Sequence, residues 1–185
     1  MIVLYDIQKK LTDIILVSKV DALRAGMSQN KKVCTLVYLL DNERILLGLK
    51  KRGIGEGKWN GFGGKVHINE GETIVEGAIR EVKEECGIVV QKSGLRYTGT
   101  IDFEFIGSLD HYEVHVFESR HFSGDVIESD EMKPKWFPIS DIPYSNMWLD
   151  KIYWHPVWLQ GKKFKAYFLY EGHDNIIEYK IDDLN

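Results

Sequence analysis

Two cysteines in a chain of 185 residues leave no disulfide framework. Cys34 and Cys86 also lack a histidine or second cysteine at metal-ligand spacing, so packed, reduced thiols are the expectation. Basic charge is not in excess: the formal net charge is −4. That excludes a broad nucleic-acid surface, which needs a basic stripe. It does not exclude a small anionic ligand, because a metal ion offsets phosphate charge locally. No apolar run approaches the roughly 18 residues of a membrane-spanning helix. The opening residues lack a basic segment followed by a long apolar one, so no secretory signal is expected. A mitochondrial presequence pattern is broken by Asp6, Asp13 and Asp21, and Arg24 is the only arginine before Arg44. Internal repeats and low-complexity segments are also lacking. What remains is the composition of one globular domain with a sizeable core.

Residues 1–31 read as an extension. Leu4, Ile7, Leu11, Ile14 and Ile15 recur at helical spacing, which predicts a short amphipathic helix followed by a polar linker. Met27, just before the body, stands as a candidate alternative start. The body, residues 32–185, opens with a nearly all-apolar strand over Val33 to Leu40, expected to be buried on both faces. An Asp41-Asn42 turn and a returning strand over Arg44 to Lys50 make a hairpin. A glycine-rich loop spans Gly53 to Gly57. The strongest helix is predicted from Thr73 to Cys86: Thr73 and Glu76 form a capping box, Val75, Ala78, Ile79, Val82 and Cys86 an apolar stripe, and Gly87 a stop. Strands are predicted over Tyr97 to Ile106, Tyr112 to Ser119 and Lys135 to Pro138. A second helix is expected from Ile142, carrying Met147, Trp148, Ile152 and Tyr153 and interrupted at Pro156. Phe164 to Tyr170 and Ile176 to Ile181 read as a closing hairpin. This order implies a mixed α/β sandwich.

The chemistry concentrates between Trp59 and Ile88. Glu81, Glu84 and Glu85 fall on one helical face, where like charges repel. A bound divalent cation removes that penalty; carboxylate oxygens suit Mg2+, which commonly arrives with substrate phosphates. Other candidates read more plainly. His67, His111, His121 and His173 are scattered and expected to be exposed non-ligands, His115 is a packed or hydrogen-bonded strand residue, and Tyr153-Trp154-His155 looks like helix packing.

The spacing of Glu72, Arg80, Glu81, Glu84, Glu85, Gly87 and Ile88 resembles the Nudix box. One departure is that Gly64 lies eight residues before Glu72, so His67-Ile68-Asn69 sits in a longer loop than usual. The resemblance extends through Leu49 to Gly53, Trp59 to Val66, Phe103 to Phe105, Val114 to Phe117, Glu128 to Met132 and Met147-Trp148. These stretches are similar to one branch of the Nudix hydrolases, the oxidised purine nucleoside triphosphate hydrolases of the animal MutT-homologue group.

That resemblance implies a Nudix α/β/α sandwich with a mixed sheet, and Mg2+-dependent (or Mn2+-dependent) hydrolysis of 8-oxo-dGTP- and 2-hydroxy-dATP-type nucleotides to monophosphate and pyrophosphate, cleansing the nucleotide pool. It implies a metal set of Glu81, Glu84, Glu85, Glu131 and the Gly63 carbonyl. Glu85 is the first choice for activating water, ahead of Glu84 and Glu131, and Arg80 is a supporting residue. It implies a phosphate-proximal loop of Phe62, Gly63, Gly64 and Lys65, and a nucleoside pocket of Thr35, Lys50, Asn60, Phe103, Trp148 and Asp150. Trp148 would stack on the base and Asp150 would read its edge. A second departure is Lys151, where the branch has another acid next to Asp150. Paired acids can share a proton and so both donate and accept. Lys151 weakens that scheme and implies an altered substrate range. A smaller departure is Ile54, where the branch has an aromatic residue. A monomer with a small nucleotide as partner, without nucleic-acid polymer or membrane, is expected. Cytoplasmic residence is expected, with mitochondrial or nuclear pools left open. Two alternatives stand: hydrolysis of another nucleoside diphosphate derivative, such as ADP-ribose or a dinucleoside polyphosphate, and a nucleotide-binding module without catalysis.

Overall fold

The computed structural model describes residues 30–184. The helix expected near the N-terminus and the Met27 start lie outside the described residues, while Asn30 and Lys31, at the end of the expected extension, already belong to the first strand. Strand β1 (Asn30–Asp41) and strand β2 (Arg44–Lys50) form the first hairpin, turned by Asn42 at φ 53°. Asparagine tolerates that left-handed conformation better than most residues. Short β3 (Trp59–Asn60) pairs with the same edge of β2 that β1 uses, further along that strand. Helix α1 (Ile74–Cys86) follows, then β4 (Val89–Val90), β5 (Leu95–Phe105), β6 (Asp110–Ser119), β7 (Phe122–Ser123) and β8 (Met132–Pro138). Helix α2 (Lys151–Leu159), β9 (Phe164–Glu171) and β10 (Asn175–Asp183) complete the body.

The main sheet runs β10-β9-β5-β6-β1-β2-β3, with β8 also paired to β2. The β1–β6 and β5–β9 pairs are parallel and the other pairs antiparallel, so the sheet is mixed. Strand β1 is buried on both faces, and side-chain alternation sorts its residues into two cores. Leu36, Tyr38 and Leu40 join Trp154 and Trp158 of α2 on one side. Val37 and Leu39 join Ala78, Val82 and Cys86 of α1 on the other. The helices thus close opposite faces of one sheet, the α/β/α layering expected.

Helix α1 forms as its sequence dictates. The Thr73 side chain accepts from the Glu76 backbone N–H while the Glu76 carboxylate accepts from the Thr73 backbone N–H, and Gly87 ends the helix in the left-handed region at φ 77°. The stripe differs in one respect. Val75 and Ile79 are only partly buried, whereas Glu85 is buried beside Val82 and Cys86. A carboxylate drawn into the buried side needs partners there.

The second helix departs further from expectation. It starts at Lys151, not near Ile142, so Met147 and Trp148 lie in the loop before it. Short 3-10 turns at Ile139–Asp141 and Tyr144–Asn146 occupy the intervening stretch. Pro156 sits inside α2 without ending it. The carbonyl its ring leaves unbonded belongs to Ile152, and both residues are on the exposed side, where water can serve that carbonyl.

Candidate active site

The stretch Gly61 to Val66 lies along the free edge of β1, bonded where β2 has diverged. Val37 N–H donates to Phe62 O at 2.6 Å, Thr35 N–H to Gly64 O at 2.8 Å, and Val66 N–H to Val33 O at 2.9 Å. The glycines permit this approach. A Cβ at Gly63, where φ is 153°, would stand 2.1 Å from the Thr35 carbonyl oxygen. One at Gly64 would stand 2.6 Å from a Glu81 carboxylate oxygen. The loop is therefore pinned between β1 and the acidic face of α1.

On one side of the loop lies an acidic cleft lined by Lys50, Gly63, Gly64, Lys65, His67, Arg80, Glu81, Glu84, Glu85 and Glu131, with Ser129 and Asp130. Glu85 is its most buried acid, 4% exposed, and it accepts from the Gly63 N–H at 2.9 Å and from Lys50 Nζ at 3.2 Å. Burial pushes the Glu85 carboxyl up to about 7, against the opposing pull of the Gly63 N–H and Lys50. Burial likewise raises Glu81, which Arg80 opposes. Glu131 behaves the other way: bonds from Lys50 and Arg52 hold it below the ordinary carboxylate value. Lys50 bridges Glu85 and Glu131, while one Arg80 nitrogen reaches both Glu81 and Glu84.

Among the described residues no three of these side chains converge on one coordination point. The two cations instead hold the acids in pairs. Four hard carboxylates facing one cleft, offset by side-chain cations and backed by glycine, nonetheless match the donors that Mg2+ takes.

Arg80 has a further partner. It bonds Glu72 through two nitrogens at 2.7 and 3.0 Å and the Lys65 carbonyl at 3.0 Å. It thereby ties the glycine loop, the helix start and the acidic face together, which is the supporting place its position implied. The longer loop before Glu72 forms a 3-10 turn over Ile68–Glu70. His67 N–H at its start donates to Glu72 at 2.8 Å. The additional residues therefore fold outward on the surface, and the acids of α1 keep their register.

The Arg80 bond holds the Glu72 carboxyl down to about 2 from an ordinary 4.5. A lowered carboxyl stabilises the fold fully above its unfolded value and loses that contribution as pH falls through the folded one. The stability gap between wild type and Glu72→Gln is therefore expected to be widest above about pH 4.5 and to close toward pH 2. Urea unfolding at a series of pH values checks this; a gap constant across that range would refute it.

On the other side of the loop lies a cavity of about 510 Å³. Cys34, Thr35, Asn60, Gly63, Gly64, Phe103, Trp148, Asp150 and Lys151 line it, together with Phe105, Tyr112, Tyr170 and His173. Gly63 and Gly64 line both spaces and form the wall between them. Trp148 packs edge-on to Tyr170 and His173, with ring centroids 6.0 and 5.6 Å away. Phe103 stacks on Phe168. The Thr35 hydroxyl is buried and has no hydrogen-bond partner among the described residues. Such orphans are uncommon in folded proteins and mark places where a ligand atom can bond. Asn60 accepts from the Tyr38 hydroxyl at 3.4 Å, and His155 bonds that hydroxyl from behind at 3.1 Å.

The acid end of this cavity is tightly built. Asp150 Oδ1 accepts from the Tyr170 hydroxyl at 3.0 Å, and Oδ2 accepts from Trp154 Nε1 at 2.7 Å and Lys151 Nζ at 3.0 Å. Asp150 and Lys151 are buried, at 1% and 2% exposure.

The structure thus brings most of the expected residues to one loop, with three corrections. Phe62 is fully buried in the core beneath the loop and reaches neither space. Its side chain occupies the α1 side of the sheet as packing. Lys50 faces the acids and not the nucleoside pocket, because the end of β2 aims it at Glu85 and Glu131. His111 is half-buried and bonded to Asp102, not exposed, whereas His67, His121 and His173 are exposed as expected, His173 at the edge of the aromatic cavity. Ile54 lines the cavity rim and is largely exposed.

Tyr170, Phe105 and Trp154 were missed as site residues. A signal existed for two of them: Phe105 lies two along β5 from Phe103, and Tyr170 is its register partner on β9. The role of Trp154 as an Asp150 donor follows the i to i+4 spacing on α2.

A mixed sheet between two helices, with a glycine loop dividing an acidic cleft from an aromatic cavity, makes this an α/β/α protein with two adjoining ligand-sized spaces. The chain belongs to the NUDIX domain family, whose pattern matches residues 30–157. It is 50% identical over 153 residues to the oxidized purine nucleoside triphosphate hydrolase of Danio rerio, covering 83% of this chain and 96% of that protein. The enzyme of the same name from Mus musculus is 46% identical over 154 residues, with the same coverage of both. Among solved structures, a MutT protein from Bacillus halodurans superposes with a TM-score of 0.71 at 24% identity, covering 82% of this chain and 97% of that one. That last likeness concerns the fold.

Proposed function

We propose that this chain hydrolyses oxidised purine nucleoside triphosphates, of the 8-oxo-dGTP and 2-hydroxy-dATP type, to the monophosphate and pyrophosphate, and that it serves to cleanse the nucleotide pool. The observation that carries the reading is the shared wall. Gly63 and Gly64 separate an aromatic cavity suited to a base from an acidic cleft suited to a cation and phosphates. A nucleotide lying across that loop places its base and phosphates in different environments at once. The two curated relatives are named as hydrolases of oxidized purine nucleoside triphosphates, which supports the substrate class.

Each residue then has a task. Trp148 supplies a face for the base, with Phe103 among the residues opposite. Asp150 accepts from its edge. The backbone of Gly63 and Gly64 lets phosphates come close, and Lys65 adds charge at the cleft. Glu81, Glu84, Glu85 and Glu131, with the Gly63 carbonyl, would hold Mg2+; Mn2+ would suit the same oxygens. Such an ion offsets phosphate charge and polarises the bridging oxygens when bound. Glu85 takes the proton from the attacking water, as a general base must lie within hydrogen-bond reach of it. Arg80 keeps α1 and the loop in position. The remaining contribution is orientation of water and phosphorus along one line.

The test is a hydrolysis panel with Mg2+: 8-oxo-dGTP, 2-hydroxy-dATP, O6-methyl-dGTP, dGTP, ADP-ribose and a dinucleoside polyphosphate, with products identified. Oxidised triphosphates should be turned over fastest, releasing pyrophosphate. ADP-ribose outpacing them all would replace this reading, and complete inertness would favour a binding module. Within the same assay Gly63→Ala is expected to lose about 100-fold in kcat/KM, because an added Cβ must push the loop from β1. Wild-type kinetics in that variant would show the close approach to be unnecessary.

A further inference from the structure

We propose that Lys151 selects which purine edge the cavity accepts, favouring bases with an oxygen at C6 over bases with an amino group there. This rests on the functional reading above and narrows it to a substrate class.

Lys151 opens α2, and its side chain is only 3% exposed yet lines the cavity. Its ammonium is pinned at two points. Nζ donates to Asp150 Oδ2 at 3.0 Å and lies 5.2 Å from the centre of the Trp154 ring. Trp154 Nε1 holds the same carboxylate oxygen at 2.7 Å, so the lysine, the acid and the indole form one cluster. An ammonium has three donors and no acceptor. One goes to Asp150, and among the described residues no side chain accepts the other two. The closed end of the cavity therefore presents a fixed donor directly beside an acceptor.

A purine with O6, N1–H and a 2-amino group offers the complementary order: acceptor, donor, donor. Its O6 would take a charge-assisted bond from Lys151, stronger than a neutral one, and its donors would turn to Asp150. A 6-amino purine reverses the first position and sets an N–H2 group against an ammonium. Neither can accept, so a buried donor is left without a partner, and a charged one suffers most. A second carboxylate at position 151 would not make this distinction, because a carboxyl group can present either character.

The experiment is kcat/KM with Mg2+ for 8-oxo-dGTP and 2-hydroxy-dATP on the full chain and on Lys151→Asp and Lys151→Met. Wild type is expected to favour 8-oxo-dGTP by roughly 10- to 100-fold. Both substitutions should lower that ratio at least about tenfold, Lys151→Asp the most, because it supplies an acceptor for the 6-amino group. Calorimetric binding of 8-oxo-dGMP and 2-hydroxy-dAMP to wild type makes the same comparison without a variant, and decides if a variant does not fold. A wild-type ratio near one, or a ratio unchanged in folded variants, overturns the role of Lys151 while leaving the hydrolase reading in place. Turnover of neither triphosphate by wild type removes both.

Discussion

Glu85→Gln is expected to lower kcat by roughly 100- to 10,000-fold, the range for loss of a general base, with nucleotide affinity little changed. Glu85 is the most buried acid of the cleft, and both its oxygens face donors: Gly63 N–H on one, Lys50 on the other. Glutamine has the same shape but carries an N–H2 group on one side. That side must now confront a donor, and the side chain can no longer take a proton from water. Binding should persist because the aromatic cavity is built by other elements. Glu84→Gln is the control. Glu84 is 59% exposed and pairs with Arg80 at the rim, so its loss should be smaller. Single-turnover kinetics separate the step from binding, and calorimetry with 8-oxo-dGMP gives the affinity. Glu85→Gln turning over like wild type, with Glu84→Gln inert, would transfer the base to Glu84.

Asp150→Ala should be the most destabilising single change at the site, by about 3–5 kcal/mol, because it strands the buried Lys151 charge. For a domain of this size that lowers Tm by roughly 6–20 °C. Trp154 Nε1 and the Tyr170 hydroxyl lose their acceptor in the same stroke. Lys151→Met should be milder, since Asp150 would keep both of those donors. The double variant Asp150→Ala with Lys151→Met is therefore expected to be more stable than Asp150→Ala alone, the sign of direct coupling. Thermal melts of the four proteins measure it. Simple additivity would mean that the buried ion pair does not act as a unit.

How much of this was legible beforehand depends on the range of the interaction. Helix α1 was written in local chemistry: Thr73, Glu76 and Gly87 cap it wherever it packs. The strands themselves followed from their apolar patterns and the β1–β2 hairpin was marked by its turn, while the mixed parallel and antiparallel pairing came from the family resemblance and not from any strand alone. The box spacing placed Glu81, Glu84 and Glu85 in one cleft. The start of α2 was less legible, because Met147 and Trp148 continue a helix-like apolar pattern while tertiary packing puts them in a loop. Pro156 looked like a break, and only its outward position explains why it is tolerated. Phe62 stands among glycines that touch the site, yet alternation along the β1 edge turns it into the core. Lys50 was placed with the nucleoside because nothing in its neighbours announces Glu131, which comes from the far loop before β8. The Asp150 cluster was half legible: Lys151 was visibly anomalous, but its pairing with Asp150, Trp154 and Tyr170 depends on β9 lying beside α2.

The most direct test of the central claim is the ratio of kcat/KM for 8-oxo-dGTP to that for dGTP, measured on wild type with Mg2+. A cavity built by Trp148, Asp150 and Lys151 beside an acidic cleft predicts ready hydrolysis and a ratio well above one. A ratio at or below one, or no pyrophosphate released from either nucleotide, would contradict it.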